Sequence, residues 1–584
     1  MTANENSIGN GDTTLVTNGT GSEAPRDATV DEGTDTTKNG QAGEVETPEL
    51  NDTAIKIAEN TAETEYIAEA IAETAPEPAI TSTDSSAEIE HIEEPEILET
   101  TKPEEPTIAE EAVPLKVESH ATTNGYSQVS VADVHKKPLL LLTAPPVMGH
   151  TTPLLRLATQ MIEKGFEVIF MSTTDFKKSI EKTGAEFYES KTPFADINYL
   201  KSRHTLPPGL PTLMADMENM FIKQMGPRSL ELKSALELIR ERNPYRSVVI
   251  VTETMSLAPM PFIYGAPLPK GYDKFPKTIN INTVPIMLLS MDTGITGSGL
   301  PPDSSESGRA RNKFMNQMVV RGPFGGTDRV FHQALKDLGC TSLPKVFFQN
   351  AWLESYDTTF QMCVPSLEYP RSDLHLSIRF TGALPKLELD PNFPYPSWWD
   401  EIKTNAALPA ADRKKVVAVA QGTVALDYED LLIPTIKGLA ARPDVIVVAL
   451  LGVRGASLPS DIEVPANVRV IDFLPYDAIL EYADIFVTNG GYGGIAHGVL
   501  NGVPMILAGT SEDKAEVCAR GAYAGFAINL QVQRPTGEQI AAASEKIFTD
   551  PTFKHRALRL QQENEDLDAV SIIERQIIKY GKAA

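Results

Sequence analysis

From Leu139 onward the apolar and polar positions alternate between two periods. Short apolar runs at Leu139–Thr143, Glu167–Ser172, Ser247–Val251 and Thr278–Ile281 read as strands buried on both faces. Between them, apolar residues recur every three or four positions. In Pro153–Lys164 the series Leu154, Leu157, Ala158, Met161 and Ile162 predicts a helix that Gly165 stops. A second helix is expected from Asp175 to Thr183, ended by Gly184, with Phe187 resuming the pattern. A longer helical stretch runs from Met214 to Arg242, with a break near Gly226-Pro227. Gly299–Gly326, rich in Pro, Gly and polar residues, reads as a loop carrying a short helix. Pro385 to Pro409 is dense in Pro and Trp and marks a linker. The alternation then resumes with strands at Lys415–Ala420, Val445–Leu451, Val468–Ile471 and Ile485–Thr488, and helices at Asp430–Ala441 and Tyr476–Tyr482. Two last helices are expected at Thr536–Phe548 and from Pro551 to about Tyr580. Strands and helices in alternation predict an α/β chain with a doubly wound parallel sheet in each half.

Before Val134 the pattern is absent. Thirty of the 79 acidic residues but only five of the 52 basic ones lie there, so nearly all of the formal charge of −27 belongs to this segment. Its only aromatics are Tyr66 and Tyr126. Such a stretch buries too little apolar surface to offset chain entropy, and a disordered acidic tail is expected over residues 1–134. An Ile-Ala-Glu recurrence suggests a transient helix between Ala54 and Glu73. The tail is either a solvated extension or a docking arm. The expected organisation is then a first domain over 135–384, a linker over 385–412, a second domain over 413–560 and a closing helix over 561–584 that can cross back to the first domain.

The remainder is nearly neutral and has no basic stripe, so nucleic acid is not an expected partner. The start, Met1-Thr2-Ala3-Asn4-Glu5, has no charged-then-apolar leader pattern, and no apolar run reaches the roughly 18 residues of a transmembrane segment. Three cysteines, none in CxxC spacing, argue against a disulfide framework or a structural zinc. A cytoplasmic protein is expected, its oligomeric state open.

Chemistry concentrates at two strand–glycine–helix turns about 340 residues apart. One is Ala144-Pro145-Pro146-Val147-Met148-Gly149-His150, before a helix expected near Thr152-Pro153. The other is Thr488-Asn489-Gly490-Gly491-Tyr492-Gly493-Gly494. Glycines let backbone N–H groups approach a phosphate, and a helix N-terminus adds its positive end. Two such turns imply two Rossmann-like halves facing a cleft. His150 lies where such sheets bind ligands and suits a general base, or else is a helix-capping or hydrogen-bonded structural residue. Glu253 ends a strand 103 residues later and suits the role of orienting that imidazole, or else is a surface or helix-capping residue. Gly422-Thr423 suits a phosphate or an ordinary turn. The dinucleotide spacing and the Gly-Lys-Ser/Thr phosphate loop are absent.

Gly149-His150-Thr151-Thr152-Pro153 and the continuous Asn489–Lys514 box, with Gly502-Val503-Pro504 at its centre, give the chain a resemblance to UDP-glycosyltransferases of the GT-B fold. It most resembles fungal members related to bacterial antibiotic and macrolide glycosyltransferases, over roughly Pro138 to Tyr580. The resemblance implies His150 as general base, Glu253 at the position of its acidic partner, and Phe473 stacking on uracil. It implies Asn489 at the diphosphate, Gly491, Gly493 and Gly494 as backbone donors beside Thr423, His497 at the ribose, and Asp513 and Lys514 reading the sugar. Several of these depart from the family's usual residues: Asn489 stands for His, Gly493-Gly494 for an Asn–Ser pair, His497 for Glu and Lys514 for Gln. The implied activity is inverting, metal-independent and without a cofactor. It moves a hexose, glucose by default, from a UDP-sugar to a small apolar hydroxylated acceptor. The Met-, Pro- and Phe-rich segments Phe194–Leu213, Met255–Tyr264 and Met287–Phe324 read equally as an acceptor pocket or as core. A secondary metabolite, a xenobiotic, a sterol or another lipid is compatible as acceptor. A non-catalytic nucleotide-sugar or lipid binder and a different GT-B enzyme such as an epimerase are the alternatives.

Overall fold

The computed structural model describes residues 137–207, 210–322, 324–386, 389, 392–422 and 427–583. The expected tail and Thr423 lie outside them. Each half is built on one all-parallel sheet. The first runs β1 (Leu139–Thr143), β2 (Val168–Ser172), β3 (Glu186–Glu189), β4 (Val248–Glu253), β5 (Lys277–Asn282), β6 (Thr358–Gln361) and β7 (Ile378–Phe380), in spatial order 3-2-1-4-5-6-7. Alternation within β1 distributes its side chains to two layers. Leu140 and Leu142 face helix α1 (Met148–Glu163), and Leu139 and Leu141 face helix α2 (Lys223–Arg242).

The second sheet runs β8 (Lys415–Ala420), β9 (Val445–Leu450), β10 (Val468–Ile471), β11 (Ile485–Thr488), β12 (Met505–Leu507) and β13 (Ala527–Asn529), in order 10-9-8-11-12-13. In both sheets the order reverses beside the first strand: β1 against β4, and β8 against β11. Chain leaving those strands diverges to opposite faces and opens a crevice at their carboxyl ends, where doubly wound sheets bind ligands.

Three of the differences from the sequence expectation are in helices. Glu306–Arg321 is a helix of 16 residues, longer than the short helix expected in a loop. Its N-cap Ser305 accepts from the Gly308 amide, but only Gly308, Asn312 and Val319 are buried, so it leaves little periodic signal. Pro227 lies inside α2 without ending it, and the irregular turn falls upstream, in a π-helical segment at Met217–Ile222. The last helical stretch is two helices, Thr552–Leu567 and Ala569–Ala583, separated by Asp568 at φ 51°. The second of these packs Ala569, Val570, Ile573 and Ile577 into the first sheet's core. Each large aliphatic buried there contributes about 1.5–3 kcal/mol.

A buried ionic cluster spans the two halves. Arg520, from the helix Lys514–Tyr523, donates to Glu368 at 2.8 Å, to Glu516 at 2.6 Å and to the Ile286 carbonyl at 2.9 Å. Arg371 donates to the second Glu368 oxygen at 3.2 Å and to the same carbonyl at 2.9 Å. Glu516 in turn accepts from the Gly297 amide at 2.6 Å.

Gly490 ends the turn after β11 at φ 77°, a backbone that disfavours side chains, and a Cβ there would strike the Cys518 sulfur. Gly509 passes under this turn, and a Cβ on it would collide with the Asn489 carbonyl. Gly509→Ala is therefore expected to cost about 1–3 kcal/mol, seen as a lowered thermal midpoint. Gly493→Ala, with open space around the position, should leave the midpoint unchanged or slightly raised.

Candidate active site

Register accounts for the first pair. Thr143 at the end of β1 is aligned with Thr252 on β4, so the residue after Thr252 meets chain leaving β1. Helix α1 starts at Met148, earlier than expected, and His150 sits in its first turn. Thr151 Oγ1 donates to the Pro145 carbonyl at 2.9 Å and fixes the entry of the helix. His150 Nδ1 and Glu253 Oε1 are 2.7 Å apart. Glu253 is fully buried; the same oxygen accepts from Thr283 Oγ1 at 3.0 Å, and Oε2 accepts from the Met255 amide at 2.9 Å. The carboxylate thus both caps the turn at Thr254–Ser256 and orients the imidazole. Because an ionised carboxylate only accepts, Nδ1 carries the proton, and the neutral ring presents Nε2 as its base.

Burial pulls the His150 pKa down, but Glu253, and Asp513 from the other half, raise it above 6.5 overall. Burial raises the Asp513 carboxyl, against the pull of Lys514 and His150. Phe221, from the π-helical segment, stands edge-on to the His150 ring at 6.4 Å.

In the second half, Ala420 of β8 aligns with Thr488 of β11. The turns after both strands touch, with Asn489 donating its side-chain amide to the Gln421 carbonyl. Asn489 is buried and serves the turn itself. Gly491 is the N-cap of the helix Tyr492–Leu500, and Gly493 and Gly494 lie in its first turn. A cavity of about 390 Å³ opens onto Gly493, Gly494, Phe473 and His497 from this half, and onto Gly149 and Arg156 from the first. Phe473 is mostly buried, with the Arg454 guanidinium 4.5 Å from its ring centre. Lys514 is tied to Ser511 and the Glu512 carboxylate. Glu512 also lies 3.6 Å from Arg203 of the first half.

Sequence reasoning missed four contributors. Thr283 supports Glu253; Asp477 holds His497; Arg156 reaches the cavity from α1; and Tyr492 accepts from Gln361 at 2.6 Å across the halves. Each acts through a contact between segments apart in the chain or through a side-chain direction, neither of which the sequence pattern carries. Met217, Met255, Met287 and Trp352 surround a void of about 20 Å³, room for roughly one water. Met255 and Met287, from segments that read equally as core or as an acceptor pocket, pack as core in this structure.

A family model described as the C-terminal domain of erythromycin biosynthesis protein CIII-like proteins matches residues 438–570. UDP-glucosyltransferase 1 of Beauveria bassiana (strain ARSEF 2860) is 37% identical over 446 residues, covering 76% of this chain and 95% of that relative. The 4'-demethylrebeccamycin synthase of Lentzea aerocolonigenes is 32% identical over 437 residues, covering 74% and 96%. Among solved structures, the glycotransferase of kitacinnamycin aligns with a TM-score of 0.54 at 22% identity, over 76% of this chain and 100% of that one. This likeness establishes the fold: two Rossmann-like halves of the GT-B type. Among the described residues, no helix is long and apolar enough to cross a membrane.

Replacing Glu253 with Gln removes the charge that raises His150 and leaves the burial that lowers it. The His150 imidazole pKa, followed by NMR titration, should fall in Glu253→Gln; an unchanged value would contradict this electrostatic account.

Proposed function

We propose that this chain, which belongs to the UDP-glycosyltransferase family, moves a neutral hexose, by default glucose, from a UDP-sugar to a hydroxyl of a small apolar acceptor. The observation that carries this reading is the His150–Glu253 pair at 2.7 Å, on the same helix turn as Gly149, which lines the cavity shared with the second glycine turn. His150 Nε2 takes the acceptor's proton as its oxygen attacks the anomeric carbon. The bond from that carbon to the diphosphate oxygen breaks on the opposite side, so configuration inverts and UDP leaves with the electron pair. The amides at Gly493 and Gly494 and the positive end of their helix stabilise the departing charge without requiring a metal.

Glucose as donor is supported by the names of the fungal relatives. A neutral sugar is supported by the pairing of Lys514 with Glu512, which leaves its charge already matched. An apolar acceptor is supported by the Phe221 ring, which stands edge-on to His150. The bacterial relative, a 4'-demethylrebeccamycin synthase, supports a secondary metabolite as one such acceptor.

UDP release from a panel of UDP-sugars with a phenolic acceptor tests the reading. Turnover should require both substrates, and His150→Ala should lower kcat by about 10³-fold while leaving UDP affinity within about twofold. Equal turnover by His150→Ala would remove the imidazole from the mechanism.

The pH dependence follows from the sign of the His150 shift. The base must be neutral, so kcat/KM should fall as pH drops through a pKa above 6.5. In Glu253→Gln the acid limb should move to lower pH, with kcat reduced about 10²-fold or more because the tautomer is no longer enforced.

A further inference from the structure

The helix Thr552–Leu567 carries its charges in reverse. Lys554, His555, Arg556 and Arg559 stand in its first half, and Glu563, Glu565 and Asp566 close it, whereas a helix dipole favours acids at the start and bases at the end. Its inner side buries Ala557, Leu560 and Asn564. Gln561 Nε2 donates to the Leu500 carbonyl at 3.1 Å and Lys554 Nζ to the Gly502 carbonyl at 2.7 Å, which ties this helix to the end of the helix Tyr492–Leu500. His555, Arg556 and Arg559 remain on the outer face, at the three- and four-residue spacing that sets them side by side. With Thr552 and the exposed Leu558 they line one open hollow. Neither arginine has an ion pair among the described residues. Glu563, one turn on from Arg559, accepts instead from the Ser366 amide at 3.2 Å. Two arginines one turn apart repel, and an anionic partner would relieve both this and the misplaced charge.

The chain itself holds such a partner. Residues 88–99 place six glutamates among twelve positions, with Ile89, Ile92, Ile97 and Leu98 between them and no Lys or Arg. No other twelve residues before Val134 hold as many acids. The segment lies outside the described residues, which begin at Lys137. Lys137 Nζ is 3.5 Å from Glu574, on the next helix, Ala569–Ala583. Along two helices that rise about 1.5 Å per residue, Arg559 comes within about 25 Å of Glu574. Thirty-seven residues separate Glu99 from Lys137. A coil of that length spans about 30–35 Å, enough to bring the segment to the face.

We infer that residues 88–99 dock on the outer face of the Thr552–Leu567 helix, their glutamates against Arg556 and Arg559 and an aliphatic side chain on Leu558. The acidic tail is then an arm that covers its own second half. Exposed ion pairs are weak one by one, but the tether raises the local concentration of the segment enough for them to form. The face is two turns long, too short to register as a basic stripe in the sequence.

Cleavage of the full chain by a glutamate-specific protease, followed by mass spectrometry, tests this. All rates are taken relative to cleavage after Glu44, which lies far from the docking segment in the tail. At low salt, cleavage after Glu90 and Glu93 should be about threefold or more faster in Arg556→Glu/Arg559→Glu than in the wild type. The exchange puts acids in the first half of the helix, where its dipole favours them, so the variant should fold. About 0.5 M salt should release the segment in the wild type and abolish the difference between the two proteins. Adding Glu93→Arg and Glu94→Arg to the exchanged protein should restore protection at Glu90. Equal relative cleavage in wild type and variant at low salt would overturn the inference. So would protection that grows with protein concentration, which would put a second copy on the face.

Discussion

The Arg520 cluster is the constraint on which the cavity depends, because the cavity's walls belong to two different sheets. Burying two glutamates and two arginines costs several kcal/mol per ion before pairing. The cost is offset here by saturation: Glu368 takes one arginine on each oxygen, and Arg520 also lies 4.5 Å over the Tyr369 ring. Removing one member would strand the others, a loss of about 3–5 kcal/mol in comparable buried pairs. Such a cluster fixes a single arrangement more firmly than apolar packing would, since apolar faces can slide and a multidentate ion set cannot. Through Glu516 and the Gly297 amide it also reaches the segment leading to the Glu306–Arg321 helix.

With the halves fixed, the site follows from strand register. His150 and Glu253 are distant in sequence but leave adjacent strands at the same level of the sheet, and Gln421 and Asn489 repeat the arrangement in the second half. Both pairs fall where the strand order reverses. In the proposed reaction the two halves divide the chemistry: proton transfer on the first, charge stabilisation on the second.

Much of this was legible in the chain. Leu139–Thr143 and Ile485–Thr488 were read at their observed limits because strands buried on both faces are continuous apolar runs. Strands β6 and β7, Thr-Thr-Phe-Gln and Ile-Arg-Phe, were not read, being short, polar and held by neighbours rather than by their own pattern. The Glu306–Arg321 helix was read as a short one in a loop, because Phe314 and Met318 face solvent and its few buried residues leave little periodicity. In the candidate site, His150 and Glu253 were singled out from their places at strand ends, and the two side chains meet. The partnership of Asp477 with His497 was not, because it depends on the rotation of one short helix against another.

The Ala569–Ala583 helix bears on how the protein is made. Its side chains complete the core of a sheet whose first strand lies about 430 residues earlier in the chain. As synthesis proceeds from the N-terminus, the first half leaves the ribosome with part of one face of its sheet uncovered, while the second half is already able to close on itself. The half encoded first is therefore finished last, and an apolar surface waits on a holding chaperone, or on speed, for the whole length of the second sheet.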